Sequence, residues 1–175
     1  IISEIGTDYH KRNFLAPAVA GEAIAALGIS EPNAGSDVAN IQTKAVRSGD
    51  DYIINGAKTY ITNGPEGHVF LVYAQTNGKI SAFVVDRDCP GFSTSQHIPK
   101  MGMRASSMSE LIFDDCEVPA SNLLGSEGQG LTHMMRTLEI ERLTLAAMSI
   151  GIADRCLDVM IRYGSERVAF GQPIN

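Results

Sequence analysis

Three short stretches of the sequence carry residue types that could bind a ligand or move a proton. The first runs from Gly28 to Asp37 and reads Gly-Ile-Ser-Glu-Pro-Asn-Ala-Gly-Ser-Asp. Its small residues and hydroxyls would let a flat or anionic ligand approach backbone N–H groups closely. It lacks the glycine spacing of a dinucleotide fingerprint and that of a P-loop. A ligand-binding loop and an ordinary connection between strands both stay open.

The second stretch places two acids beside an arginine, at Glu139, Glu141 and Arg142. Residues two apart on a helix point about 200° apart, so the two carboxylates cannot share a face. Glu139 can pair with Arg142 or with Arg136. Glu141 has leucine and isoleucine neighbours, and an acid in apolar surroundings suits a general base near neutral pH. A solvent-exposed helix glutamate is the alternative.

The third stretch is Arg167-Val-Ala-Phe-Gly171, in which a cation and an aromatic residue precede a turn. The arginine could contact a phosphate, although a surface arginine is the simpler interpretation. The basic loop Lys100-Met-Gly-Met-Arg104 has the same two interpretations.

Composition excludes several classes of protein. Of the 175 residues, 44% are hydrophobic and 19% are charged, which is typical of a globular chain and not of a disordered one. The net charge of −6 and the lack of a basic run argue against nucleic-acid binding. No apolar run approaches the roughly 20 residues of a membrane span. Because the chain opens at Ile1 without an initiator Met, we expect a segment of a longer protein.

The cysteines and histidines predict neither a disulfide framework nor a metal site. Cys89, Cys116 and Cys156 are odd in number and far apart, and no pair has metal-ligand spacing. The four histidines are scattered as well. A reducing compartment follows as the simplest expectation.

Three regions supply the elements that must position these residues. In the first, up to about residue 27, Thr7 can cap a helix that continues to Leu15, where Pro17 interrupts it. The second region, to about residue 128, is rich in strands and turn signals, which favours an antiparallel sandwich or barrel. Asn55-Gly56 and Asn77-Gly78 are the predicted hairpin turns. The predicted strands are 41–47, 51–54, 58–62, 69–74, 80–85 and 110–113.

The third region predicts one long helix from about Gly130 to Gly164. Apolar residues occupy nearly every face of it, so the helix should be buried on several sides. The chain has few other helices to surround it, and its packing partners are therefore expected beyond Asn175 or in another subunit. Gly151 within it suggests a close packing contact.

Taken together, these stretches resemble the acyl-CoA dehydrogenase family, over essentially the whole chain. The residues of these motifs are most similar to the isovaleryl-CoA dehydrogenase branch of that family. The motifs that carry the resemblance are Gly28–Asp37, Asn55–Asn63, Met101–Ser106, Leu111–Pro119, Glu141–Leu143 and Arg167–Gly171.

The resemblance implies an α+β fold with a central antiparallel β-barrel domain flanked by parts of two helical domains. Residues 1–27 would end a helical N-terminal domain, and residues 28–128 would form the β-barrel domain. Residues 129–175 would begin a C-terminal four-helix bundle that is truncated here.

The resemblance also implies an FAD site. Tyr60, Ile61 and Thr62 would contact the flavin ring, with Tyr60 where the family usually has Trp. Arg167 and Phe170 would reach the FAD of a neighbouring subunit, which implies a homo-oligomer, commonly a tetramer. The loop residues that would line FAD are Leu27, Gly28, Ile29, Ser30, Glu31, Pro32, Asn33, Ala34, Gly35 and Ser36.

The implied activity is α,β-dehydrogenation of a short or branched-chain acyl-CoA to a 2,3-enoyl-CoA, with electrons passed to an electron-transfer flavoprotein. Glu141 would be the catalytic base, and substrate contacts would come from Ser36, Glu139, Ile140, Glu141 and Arg142. An acyl-CoA oxidase, a flavin monooxygenase or a non-catalytic acyl-CoA- or protein-binding module are the alternatives. The expected location is the mitochondrial matrix in a eukaryote and the cytoplasm in a bacterium.

Overall fold

The computed structural model describes all 175 residues and divides them into two compact units, residues 1–133 and 134–175. The helices are α1 (Ile2–Ile5), α2 (Asp8–His10), α3 (Ala16–Ala20) and α4 (Gly130–Glu166), with a π-helical turn at Lys11–Leu15 and 3-10 turns at Val38–Asn40 and Ala120–Asn122. The strands are β1 (Ala25–Gly28), β2 (Lys44–Ser48), β3 (Asp51–Thr62), β4 (Val69–Thr76), β5 (Lys79–Asp86), β6 (Phe92–Thr94), β7 (Met108–Pro119), β8 (Leu123–Leu124), β9 (Val168–Ala169) and β10 (Gln172–Pro173).

The helical segment near the N-terminus starts where the sequence predicts but ends later. The Thr7 hydroxyl accepts a hydrogen bond from the His10 N–H, and His10 Nδ1 accepts one from the Thr7 N–H. The prediction that Pro17 interrupts the helix is wrong, because helical backbone continues to Ala20 and ends at Gly21 with φ of 79°. A π-helical turn directly before Pro17 widens the backbone there and accommodates the proline ring.

One mixed sheet contains β1 to β8. Its strand order is β6-β7-β3-β2-β4-β5-β8, with β1 paired to β4 outside that path. β1 and β2 both run parallel to β4, whereas the other neighbours are antiparallel. No backbone pairing joins β6 to β8, so the sheet is open. The fold is therefore α+β as predicted, but the antiparallel, closed barrel is not confirmed, since turn spacing does not reveal parallel pairings between distant segments.

The two predicted hairpin turns have different outcomes. Asn77-Gly78 joins β4 to β5 with φ of 51° and 77°, as its residue types require. Asn55-Gly56 is not a turn, because β3 continues through it and Ser48 pairs with Asp51 across the preceding turn instead. The register between β3 and β7 shifts at Gly56, which places an irregularity where the sequence suggested a hairpin.

Aromatic side chains from separated strands meet in the core of the first unit. The rings of Phe70 on β4 and Phe92 on β6 have centroids 4.6 Å apart, although these strands are not neighbours in the sheet. Tyr52 on β3 and Phe83 on β5 lie 4.9 Å apart in the same way. The open sheet therefore curls around one hydrophobic cluster, and each buried aromatic ring contributes about 1.5–3 kcal/mol.

The long helix is present as predicted and is 37 residues long. Between Glu139 and Tyr163 its residues are exposed, including large apolar side chains such as Leu143 at 74% and Met160 at 69%. No atom lies within 4 Å of a side chain built at Gly151, so the contact predicted there does not exist within this chain. No helix of the structure combines the length and the apolar character needed to cross a membrane.

Candidate functional site

A buried ion pair anchors the small-residue loop between β1 and β2. Lys58 Nζ on β3 lies 2.7 Å from Glu31 Oε1, and both side chains are buried. The same ammonium group donates to the Ile29 carbonyl at 3.2 Å. The Glu31 carboxylate also accepts hydrogen bonds from the backbone N–H groups of Gln42 and Thr43. Lys58 therefore ties the start of the loop to β3, and Glu31 ties its end to the same lysine.

The ion pair holds Glu31 in its charged form. Burial raises the pKa of Glu31, but hydrogen bonds from Lys58, Thr43 and Gln42 outweigh it, so the pKa lies below its usual range. Burial lowers the pKa of Lys58, and the hydrogen bond to Glu31 opposes this without cancelling it. Two charges removed from water are tolerated here because every polar atom of the carboxylate is partnered.

The loop turns its polar backbone outward. Glu31 and Ala34 exchange two backbone hydrogen bonds of 2.8 and 3.1 Å, which closes a tight turn around the exposed Pro32 and Asn33. Gly35 and Ser36 follow this turn. Both are exposed, their backbone N–H groups form no hydrogen bond within the chain, and a side chain built at Gly35 meets no atom within 4 Å. Such free donors on a fixed loop can bind a polar or anionic ligand.

Tyr60 is held in a strained backbone conformation that presents its ring to solvent. Its φ is 58°, and its side chain is 66% exposed. The register of β3 against β7 passes from Lys58–Leu111 to Ile61–Ser109, so β3 has one extra residue at this point. A left-handed conformation costs an ordinary residue about 1–2 kcal/mol, and in bulges of this kind Gly usually supplies it. A strained aromatic residue is a sign of a functional position.

The other residues predicted for the cofactor site are distributed between the surface and the core. Thr62 is exposed, Ser30 is half-buried, and the Ser30 carbonyl accepts a hydrogen bond from the Thr59 N–H at 2.8 Å. Ile61 belongs to the hydrophobic cluster, so only its backbone can meet a ligand. Gly28 is packed closely, since a side chain there would lie 3.2 Å from Leu111. Ile29 and Ala34 are buried and Leu27 is half-buried.

The predicted substrate residues of the second unit occupy about one turn of α4. Glu139, Ile140, Glu141 and Arg142 are all exposed, and Glu139 forms no ion pair with Arg142. The expectation that Glu141 sits among apolar side chains is wrong for this chain taken alone. Leu138 and Leu145 lie on the same face of the helix, but without a packing partner they leave Glu141 exposed.

Arg167 and Phe170 lie on a small hairpin that follows α4. The Arg167 guanidinium donates to the Tyr163 hydroxyl at 2.8 Å and lies 5.8 Å from the centre of its ring. Phe170 has φ of 55° and is fully exposed at the turn between β9 and β10. The hairpin therefore presents a positioned cation and an aromatic ring to solvent.

Sequence reasoning overlooked Lys58 and the backbone donors of Gln42 and Thr43. The available signal was a lysine that continues the inward-facing alternation of Tyr52 and Ile54 on the same strand. A buried lysine requires a partner, and Glu31 is the acid that the fold supplies. The Glu31 side chain is turned away from solvent, so its role is to hold the loop in position and not to contact a ligand.

Two family models match this chain. Residues 26–116 match the acyl-CoA dehydrogenase middle domain, and residues 128–175 match the acyl-CoA dehydrogenase C-terminal domain. The chain is 47% identical over 176 residues to the mitochondrial isovaleryl-CoA dehydrogenase of Pongo abelii, covering 97% of this chain and 42% of that protein.

Solved structures agree with the family models. An acyl-CoA dehydrogenase from Geobacillus kaustophilus superposes with a TM-score of 0.96 and 41% identity, over 99% of this chain and 47% of that one. An acyl-CoA dehydrogenase complexed with FAD from Bacillus anthracis superposes with a TM-score of 0.95 and 38% identity. The match covers 99% of this chain and 30% of that one. The chain belongs to the acyl-CoA dehydrogenase family. It spans less than half the length of each of these relatives.

Proposed function

We propose that this chain is part of an FAD-dependent acyl-CoA dehydrogenase. The observation that carries the proposal is the exposed, strained Tyr60, which lies on the strand that also holds the anchored loop through Lys58. The family membership and the FAD-containing relative support the same assignment. FAD would supply the acceptor for a hydride from the β-carbon of the acyl chain.

The residues of the first unit fit FAD. The free backbone N–H groups of Gly35 and Ser36 suit its polar edge, and the Tyr60 ring suits its flat flavin face. Thr62 adds an exposed hydroxyl on the same strand. The remaining loop residues, from Leu27 to Ala34, would shape the backbone around it, and Arg167 with Phe170 would contact the FAD of a neighbouring subunit.

Glu141 is proposed as the base that takes the α-proton of the thioester onto a carboxylate oxygen. Because a thioester α-carbon is a weak acid, the base must work beside hydrogen-bond donors to the carbonyl oxygen, out of water. Glu141 is exposed in this chain. We therefore propose that residues outside 1–175, or another subunit, cover α4 and exclude water. Ser36, Glu139, Ile140 and Arg142 would position the substrate.

Several finer features belong to the same proposal. The substrate would be a short or branched-chain acyl-CoA, the product a 2,3-enoyl-CoA, and the electron acceptor an electron-transfer flavoprotein. The boundaries at residues 27 and 128 and the homotetramer are also proposed. The proposed compartment is the mitochondrial matrix or the bacterial cytoplasm.

The test is flavin absorbance of the full-length protein that contains this chain. We expect a yellow protein whose visible absorbance bleaches on anaerobic addition of an acyl-CoA, with straight and branched acyl-CoAs compared. A colourless protein without affinity for FAD would contradict the proposal and favour a binding module. Bleaching followed by rapid hydrogen peroxide production in air would instead indicate an oxidase.

A further inference from the structure

Two cysteines that the proposed reaction does not use lie together at the edge of the sheet. Cys116 on β7 is completely buried in the hydrophobic cluster, and Cys89, just before β6, is half-buried against that cluster. The backbone holds the segment between them in place. The Pro90 carbonyl accepts from the Glu117 N–H and the Gly91 carbonyl from the Asp114 N–H, both at 2.9 Å.

The backbone brings the two cysteines close: Pro90, next to Cys89, is bonded to Glu117, next to Cys116, and a side chain built at Gly91 would lie 2.8 Å from Cys116 Cα. The interaction with Cys116 lowers the pKa of Cys89, with burial opposing it, whereas the interaction with Cys89 and burial raise the pKa of Cys116. A more accessible thiol that favours its thiolate, beside a second thiol, is the arrangement found in redox-sensitive pairs. Cys156, in contrast, is a single exposed thiol on α4.

We propose that Cys89 and Cys116 form a reversible disulfide when the protein meets a hydroperoxide. The Cys89 sulfur attacks one peroxide oxygen, the O–O bond breaks, and Cys89 becomes a sulfenic acid. With hydrogen peroxide, the second oxygen leaves as hydroxide and becomes water with the thiol proton. The Cys116 sulfur then attacks the Cys89 sulfur, the S–O bond breaks, and a second water carries away the Cys116 proton.

The electrons balance across the two steps. Two thiols lose two electrons in forming the S–S bond, and the peroxide gains them in forming two waters. The disulfide would close a loop over residues 90–115, which includes the exposed Met101 and Met103.

The experiment treats the full-length protein with a small excess of hydrogen peroxide, blocks free thiols, and maps tryptic peptides without reduction. We expect a cross-linked species joining peptide 88–100 to peptide 105–136, and dithiothreitol should release it. Peptide 156–162, which carries Cys156, should stay outside the cross-link. Cys89→Ser and Cys116→Ala should each abolish the cross-link, and Cys156→Ser should leave its yield unchanged.

Two outcomes would overturn the proposal. One is that Cys89 and Cys116 both remain open to alkylation at peroxide concentrations that oxidise Cys156. The other is that Cys89 proceeds to the sulfinic acid without a cross-link, which would show that Cys116 cannot reach it. If the Cys116→Ala variant fails to fold, Cys89→Ser still decides the result.

Discussion

Lys58 Nζ lies 2.7 Å from Glu31 Oε1, and this buried pair joins strand β3 to the loop that carries the proposed FAD donors. Lys58 also lies two residues before Tyr60 on the same strand. The position of the loop and the position of the aromatic ring are therefore set by one strand. A change in the ion pair should affect both the stability of the fold and the binding of FAD.

Replacing Lys58 with Met should destabilise the protein strongly. The variant leaves the Glu31 carboxylate buried without its cation, and breaking such a pair costs roughly 3–5 kcal/mol. Urea unfolding should show this loss, and flavin fluorescence should show weaker FAD retention by the full-length protein. Lys44→Met is the matched control, because Lys44 is exposed and its loss should change stability by no more than about 0.5 kcal/mol.

The double variant Glu31→Leu with Lys58→Met separates pairing from packing. It should be less destabilised than the sum of the two single variants, since it leaves no unpaired buried charge. Strict additivity in the double-variant cycle would show that the two side chains do not interact.

The same pair predicts a dependence of stability on pH. A free glutamate titrates near pH 4.3, at about its ordinary pKa. In the folded protein burial raises the pKa of Glu31, but the bonds from Lys58, Thr43 and Gln42 outweigh it and leave the pKa lowered. The contribution of Glu31 is thus complete above about pH 4.3 and is lost as the pH falls through the folded value.

The Glu31→Gln variant should therefore differ most from the parent above about pH 4.3, and the difference should shrink in more acidic solution. Urea unfolding of the two proteins from about pH 3 to about pH 7, at fixed ionic strength, measures this difference. A difference that stays constant over that range would show that Glu31 does not titrate as described.

Variants at Tyr60 should affect the stability of the fold and the binding of FAD in opposite directions. Tyr60→Gly removes the left-handed penalty at an exposed position, so stability should stay level or rise by up to about 1 kcal/mol. The lost aromatic surface should weaken FAD binding in the full-length protein, measured by flavin release on dilution. Tyr60→Trp should bind FAD at least as well as the parent, because it enlarges the ring that faces the flavin.

Asn77→Gly is the matched control for that experiment. Asn77 is also left-handed, with φ of 51°, but it lies in the turn between β4 and β5. Its replacement should leave FAD binding unchanged. Equal FAD affinity of Tyr60→Gly and the parent would contradict the assignment of Tyr60.

Glu141→Gln in the full-length protein should keep FAD bound and reduce turnover. A general base contributes roughly 10²- to 10⁴-fold, and the amide cannot take the α-proton. The rate of bleaching by acyl-CoA measures it. Asp158→Asn, an exposed acid on the same helix, should leave the rate unchanged. Full activity of Glu141→Gln would place the base outside residues 1–175.

Local patterns in the sequence determined much of the secondary structure. The cap at Thr7, the turn at Asn77-Gly78 and the proline-free helix from Gly130 depend on neighbours within a few residues, so residue type predicts them. The motifs from Gly28–Asp37 to Arg167–Gly171, taken together, likewise indicated the family, which the family models confirm.

Only the tertiary structure decided which strands pair and which side chains turn inward. β1 and β2 both pair in parallel with β4, and such long-range pairing leaves no local signal. Alternation along β3 predicts Lys58 inside, but it does not predict Tyr60 outside, which follows from the register shift between Lys58 and Ile61. The partner of Glu31 is Lys58, 27 residues away in the sequence. A charge buried in the apolar core is stable only beside an opposite charge, and the fold alone determines which residue supplies it.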